Sequence, residues 1–345
     1  MTAGNAPWDK LSPSPVALDA ADPQLSVVVL NFNGSRWLDG CLGALDAQQG
    51  APPFEVILVD NASEDDSLHM VSERYPAVRL LPLPSNVGFA AGNNRGAHIA
   101  RGRHLVFLNN DTIADPAWLQ KLHGALEVRP DVALVTSRIV FMDHPDRVDS
   151  AGDGYLLAGG AYKHAHGEPV SHALESGEVF GACGAAFLIR REVFAALEGF
   201  DERLFMVYED VDLSYRARLL GWGCWYEADA IVRHAVSATL GRYSARAVFY
   251  GQRNLETVWL KNTPAALLAR TLASHVIYSG AGVAFYAKRG LFWPALRGKM
   301  AAAAQVFATL AARRRVQHTR RVSVRALRRM LTPSWLALKR REKRV

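Results

Sequence analysis

FEVILVDNASEDDS, residues 54–67, settles the fold class. Phe54–Val59 is apolar apart from Glu55, which suits a strand buried on both faces. It breaks at once into a polar turn, Asp60–Asp66, and Ser67–Tyr75 reads as a helix. The same alternation runs outward in both directions. Upstream, Leu25–Leu30 (LSVVVL) is a buried strand and Trp37–Gln48 has helical spacing. Downstream, Val78–Leu83 is a third strand, and Asn86–Ile99 opens as a Gly/Asn-rich turn and becomes a helix. His104–Leu108 is a fourth strand ending in Asn109-Asn110-Asp111-Thr112. Trp118–Arg129 is a helix closed by Pro130, and Val132–Ser137 is a fifth strand. Strands alternating with helices predict a mostly parallel sheet covered on both faces. Ligands of such sheets bind beyond the carboxyl ends of the strands, so the acidic turns at 60–63 and 109–111 are expected to be neighbours. Residues 138–180 are less regular. Phe187–Ala196 reads as strand into helix, and Tyr208–Leu220 as a helix.

The chain has 345 residues, half of them apolar, which fits a large α/β domain with a smaller appendage. Its charge is uneven. Residues 241–345 hold 22 Lys or Arg against 2 Asp or Glu, leaving 18 and 31 for residues 1–240. A basic element of this kind meets anionic surfaces. Three cysteines, Cys41, Cys183 and Cys224, have no metal spacing and suit a reducing compartment. Residues 1–24 lack the basic start and apolar run of a signal peptide. No internal repeat occurs, and GxGxxG, GxxxxGK[ST] and HExxH are absent.

Several residues could carry chemistry, each with a plain structural alternative. Asp60 could accept from a nucleotide's ring N–H or a sugar hydroxyl, or close an Asx turn or helix cap. Asp111 could hold a divalent cation on a diphosphate, or serve the turn. Glu209-Asp210-Val211-Asp212 sets three acids in an apolar, aromatic stretch. A carboxylate there facing a pocket could act as general base; equally, the helix dipole favours an acidic first turn. On a helix, Glu209 and Asp212 share a face and Asp210 points elsewhere. His234 is a metal ligand or a satisfied core histidine. FGACGAA (180–186) lets backbone approach a sugar, or packs as a turn.

In combination the motifs are more specific: VVVLNFNG (27–34), LVDNASEDDS (58–67), NVGFAAGNNRG (86–96), LVFLNNDT (105–112), FGACGAAFLIRREVF (180–194), GFDERLFMVYEDVDLSYRARLLGW (199–222) and VRHAVSAT (232–239). Over about residues 25–240 the chain resembles the family 2 glycosyltransferases, most closely their bacterial rhamnosyltransferase branch, with Asp149-Ser150-Ala151-Gly152 a further point of likeness. The resemblance implies a GT-A fold, a Rossmann-like mixed α/β sheet, and inversion at the anomeric carbon. It implies that Asp60 binds the nucleoside base with Leu30 and Asn31, and that Asn86, Gly88, Phe89, Asn94 and Asn110 shape the donor site. Asp210 of the Glu209-Asp210 pair would be the general base, and Asp111 with His234 would hold Mg²⁺ or Mn²⁺. The family's DXD motif reads Asn109-Asn110-Asp111 here, with one carboxylate rather than two. Phosphate oxygens and water would then complete a Mg²⁺ shell, and Mn²⁺ would suit the histidine better.

The expected organisation is a tail over 1–24, a GT-A domain over 25–240 and a helical, basic, membrane-associating region over 241–345. Ala265–Ala287 is long enough to span a bilayer, but Arg270 and His275 favour an interfacial or buried helix. Ala301–Ala312 is too short to span. The clusters Arg313-Arg314-Arg315, Arg320-Arg321, Arg325, Arg328-Arg329 and Lys339–Arg344 suit anionic headgroups. No nucleic-acid motif accompanies them, and Trp335 alone offers stacking, so nucleic acid is not an expected partner. The expected donor is a nucleoside diphosphate sugar, dTDP-rhamnose first, and the acceptor a glycan or polyprenyl-linked hydroxyl. The expected location is the inner face of the plasma membrane, peripherally bound on the cytoplasmic side. A nucleotidyltransferase would carry a Gly-rich basic loop after the first strand, where Leu30–Arg36 has only Gly34 and Arg36. A non-catalytic sugar-binding scaffold would not need Asp60, Asp111, Glu209 and Asp210 together.

Overall fold

A computed structural model describes residues 22–236, 244–333 and 335. Most of the expected N-terminal tail and the Lys339–Arg344 cluster lie outside the described residues. The chain begins β1 Leu25–Asn31, α1 Ser35–Asp46, β2 Phe54–Asp60, α2 Ser67–Arg74, β3 Arg79–Pro82, α3 Gly88–Ile99, β4 His104–Asn109, β5 Thr112–Ala114 and α4 Trp118–Glu127. It continues β6 Val132–Phe141, β7 Val148–Ser150, β8 Asp153–Tyr155, β9 Ala161–Lys163, β10 Gly177–Glu178, β11 Ala186–Arg190, α5 Arg191–Ala196, α6 Glu209–Leu219 and β12 Gly223–His234. Five helices follow: α7 Ala245–Asn262, α8 Ala265–Ala287, α9 Phe292–Ala304, α10 Val306–His318 and α11 Val324–Met330.

The main sheet has the order β10-β12-β6-β11-β4-β1-β2-β3, with β5 on β12 and β7 on β6. Strands β3, β2, β1 and β4 are parallel, as the alternation predicts. The sheet as a whole is mixed, because β11 runs antiparallel between β4 and β6. β12 runs parallel to β6 and was not expected from the sequence, because Glu227, Asp229 and Arg233 interrupt its apolar residues. Its burial alternates along most of its length, which is the signature of a strand with one solvated face.

The apolar run of β1 divides between two cores. Val27 and Val29 face Leu38, Leu42, Trp118 and Leu122, while Val28 faces Ile57, Phe107 and Phe187 on the other side. Each such side chain contributes about 1.5–3 kcal/mol on burial. Glycines in α3 let it lie close on the sheet. A Cβ at Gly92 would come within 2.5 Å of Leu30 Cδ1, and one at Gly96 would strike Val28.

The C-terminal helices are integral to this body. Tyr215 and Leu219 of α6 share an apolar cluster with Val258, Leu267 and Leu327. Lys261 of α7 is 2% exposed and places Nζ 2.5 Å from Asp201 and 2.7 Å from Asp212. Asp212 also accepts from Arg216 (2.7 Å) and Asn262 (2.8 Å). Replacing Lys261 by Met strands two buried carboxylates. Since Arg203 and Arg216 remain as partners, the expected loss is about 3 kcal/mol, the low end for breaking a buried pair. A lower urea midpoint with unchanged slope is the expected reading; an unmoved midpoint would mean the pair stabilises nothing.

Candidate active site

The parallel register brings the ends of β1, β2 and β4 to one level: Asn31 lies opposite Asp60, and Leu30 opposite Asn109. The two acidic turns therefore meet, as predicted. Asn110 Nδ2 donates to Asn31 Oδ1 at 2.7 Å, and Asn31 Nδ2 donates to Asp60 Oδ1 at 3.0 Å. Asp60 Oδ2 accepts the Ser63 N–H at 2.9 Å, an Asx turn. Asp60 is 1% exposed and thus stands behind the cavity wall, with both oxygens engaged inside the protein. A Cβ at Gly34 would collide with Asn31 and Asn110, so this turn requires glycine.

A cavity of about 820 Å³ opens beyond these strand ends, walled by Leu30, Asn86, Gly88, Phe89, Asn110 and Asp111 among others. Asn61 supports that wall by accepting from Val87 N and donating to Asn86 Oδ1. Gly88 has φ +86°, and a Cβ there would press on the Phe205 carbonyl at 2.6 Å. Asn94 lies elsewhere: it brackets Phe200, donating to its carbonyl and accepting its N–H, both at 2.9 Å. It acts on the cavity only through the segment it braces.

The antiparallel pairing of β12 with β5 sets His234 opposite Thr112, beside Asp111. His234 Nε2 is 3.3 Å from Asp111 Oδ1, and its Nδ1 is 3.0 Å from Asp149 Oδ2. Asp149 is fully buried and binds Lys163 Nζ through both oxygens at 2.9 Å. Burial alone would raise the Asp149 carboxyl; Lys163, His166 and His234 override it and hold it well below the usual range. Burial likewise opposes a charge on His234, but the hydrogen bonds to Asp111 and Asp149 prevail and lift it to about 9. A histidine with one nitrogen fixed by a carboxylate and the other aimed at a second carboxylate suits a divalent cation, since metal-bound histidines characteristically donate their free N–H to such a partner. Asp111 and His234 are the pair that could hold a divalent cation, with room for its other ligands in the cavity.

A second His/Glu group does not belong to this site. His104, His123 and Glu127 gather at the opposite end of β4, six residues or roughly 20 Å of strand away, with Arg103 already 3.8 Å from the Glu127 carboxylate.

Glu209 and Asp210 open α6, directly after Tyr208, which lines the cavity. The approach is strained: Phe205, Val207 and Tyr208 have φ of 62°, 64° and 78°. Such residues persist only when their surroundings over-determine them. Here Asn254 of α7 does so, with Nδ2 within 2.9 Å of the Leu204 and Met206 carbonyls and 2.6 Å of that of Val207. Asp210 Oδ2 accepts from Gly184 N and Oδ1 from Val211 N, each at 2.7 Å. Burial raises the Asp210 carboxyl above its ordinary value, while these two N–H groups and Lys163 restrain the rise. Glu209 is pushed well above its usual range by burial and by Asp210, and its Oε2 is buried without a hydrogen bond. Burial thus raises both carboxyls, and on Asp210 both oxygens carry backbone N–H donors. Asp212, the third acid, is spent on Lys261, Arg216 and Asn262.

A mixed sheet of this order, covered on both faces and with a cavity and a His–Asp pair beyond its strand ends, has the GT-A architecture of glycosyltransferases. Solved structures agree on the fold. GalNAc-T7 with UDP, GalNAc and Mn²⁺ gives a TM-score of 0.55 at 17% identity over 70% of this chain and 48% of that one. The mannosyltransferase PcManGT from Pyrobaculum calidifontis, with GDP-Man and Mn²⁺, gives 0.50 at 18% over 90% and 89%. The family model described as "Glycosyltransferase like family 2" matches residues 23–248, and the chain belongs to that family. Among curated relatives, the O-antigen biosynthesis protein RfbC of Myxococcus xanthus is 31% identical over 229 residues, 63% of this chain but only 18% of that protein's length. The N-acetylglucosaminyl-diphospho-decaprenol L-rhamnosyltransferase of Mycobacterium tuberculosis is 29% identical over 246 residues, 63% of this chain and 78% of its own.

Sequence reasoning missed three parts: Asp149 as the partner of His234, Lys163, and the wall supplied by α8. A carboxylate next to Ser-Ala-Gly gave a family likeness but no role, because its partner is 85 residues away. The His234 assignment is testable by NMR. Without added cation its imidazole should titrate near pH 9. In Asp149→Asn it should fall toward the ordinary value near ~6.5, since one of two stabilising carboxylates is gone. Equal values in the two proteins would dissolve the pair.

Proposed function

We propose that this protein is an inverting glycosyltransferase that moves a sugar, rhamnose first among candidates, from a nucleoside diphosphate donor to a hydroxyl of a cell-envelope glycan or lipid-linked acceptor. The observation that carries the reading is the placing of Asp210: its carboxylate is held by the Gly184 and Val211 N–H groups, two residues after Tyr208, which lines the same cavity as Asp111 and His234. Rhamnose and a polyprenyl acceptor are supported by the name of the mycobacterial relative, and dTDP by the motif resemblance alone.

In this reading Leu30, Asn31, Asp60, Asn86, Gly88, Phe89 and Asn110 form the nucleotide side. Asp60 acts by fixing Asn31, or by exchanging one of its internal bonds for the base. Asp210 removes the proton from the acceptor hydroxyl as that oxygen attacks the anomeric carbon. The nucleoside diphosphate departs from the opposite face, which inverts the centre. Glu209, whose carboxyl is raised by burial and by Asp210, stands next to the base on the first turn of α6. Asp111 and His234 would hold Mn²⁺ or Mg²⁺, which would offset charge on the departing diphosphate. The enzyme works peripherally at the cytoplasmic face of the membrane, drawn there by the exposed arginines of α10 and α11.

Asp210→Asn should lower kcat by about 10²–10⁴ with donor affinity retained. The variant losing donor binding instead would reassign Asp210 to the donor site. The base is active when deprotonated and its pKa is raised, so kcat/KM should fall with acid through a pKa above the ordinary aspartate value near ~4. A limb at or below that value would contradict a buried base. A divalent chelator should abolish turnover, and Asp111→Asn and His234→Ala should each raise the cation concentration needed; cation-independent turnover would remove both from ligand roles.

A further inference from the structure

Helix α8 has two unlike sides. One side packs inward through Leu267, Thr271 and His275, and beyond them Tyr278, Gly282 and Tyr286 form a wall of the active-site cavity. His275 fixes the helix in place: Nε2 meets Glu256 at 2.7 Å, Nδ1 meets the Ala158 carbonyl at 2.8 Å, and the ring stacks on Trp259. The other side, at spacings of three and four, presents Leu272, Ala273, Val276, Ile277, Gly280 and Ala284 to solvent. Leu272, Val276 and Ile277 are 53%, 60% and 63% exposed, and Arg270 at the edge is the one charge on that side. Trp293, at the start of α9, is 64% exposed.

We infer that this outer face of α8 is a membrane-docking surface that lies in the headgroup region of an anionic bilayer. Three observations select that occupant. A contiguous apolar helix face of this size on a protein surface marks an interaction site. Exposed cations lie around it, Lys288 and Arg297 following α8, and Arg325, Arg328 and Arg329 on α11, which packs against α8. Among the described residues no helix is long and apolar enough to cross a membrane, so the helix lies along the surface over its roughly 35 Å length. This goes beyond attraction of a basic tail, because the contact is apolar and belongs to a helix that also lines the cavity. If the acceptor is lipid-linked, which rests on the reading above, its reactive end enters the cavity across the thickness of one helix, about 10 Å from the bilayer surface.

The test uses the full chain and vesicles of phosphatidylcholine with and without phosphatidylglycerol. Wild type should co-sediment with the anionic vesicles, and brominated lipids should quench a fluorescence component absent from Trp293→Phe. Val276→Glu combined with Ile277→Glu should weaken partitioning by about tenfold or more. Circular dichroism and hydrolysis of a soluble nucleotide-sugar donor should be unchanged, since neither residue lines the cavity. Unaltered sedimentation of the double variant would overturn the proposal and leave the arginines as the sole contact. A dimer dispersed by Ile277→Glu, with vesicle binding intact, would overturn it in favour of a second copy of this chain. Vesicle binding requires no turnover, so an inactive but membrane-bound protein would sink the transferase reading and not this one.

Discussion

Buried parallel strands cannot leave their ends unsatisfied, and here that requirement builds the site. β1, β2 and β4 stop at one level, and each stops on a polar residue: Asn31, Asp60 and Asn109. The side chains that satisfy one another there, Asn110 to Asn31 to Asp60 to the Ser63 N–H, also make the floor of a concave edge. Everything else in the site is referred to that edge. The chain turns through Asp111 into β5, and β12 pairs with β5 to place His234 beside Asp111.

The Glu209–Asp210 pair depends on a different support. Glu209 and Asp210 follow three non-glycine residues in left-handed conformations, and a free chain would relax them. Asn254, Arg253 and Lys261 of α7 prevent this by binding the carbonyls and carboxylates around the loop. The basic C-terminal region is therefore part of the site. It holds the loop before Asp210 in position and supplies, through α8, one wall of the cavity. Its own polar anchors, Glu256 with His275 and Lys299, are part-buried, which keeps α8 in a fixed orientation while its outer face stays apolar.

Much of this was legible in the sequence for a physical reason. A strand buried on both faces must be apolar throughout, so β1, β2 and β4 announced themselves, and the turns at their ends followed from the parallel topology. β12 did not, because a strand with one solvated face alternates and resembles a loop when Glu227, Asp229 and Arg233 fall on it. The antiparallel β11 was visible as a strand, but nothing local reports its direction. Single residues were legible as donors or acids, never as partners: Asp149 with His234, and Lys261 with Asp212, are joined across 85 and 49 positions by tertiary structure alone. Asn94 shows the converse, a residue inside a motif whose side chain braces a neighbouring turn.

One measurement bears most directly on the single-displacement account. Product formed from a nucleotide sugar of known anomeric configuration would be analysed by ¹H NMR before it can mutarotate. Attack by an acceptor oxygen deprotonated by Asp210, with the diphosphate leaving from the other face, predicts the inverted anomer. A retained anomer would require a second displacement or a front-face route, and the role given to Asp210 would fall.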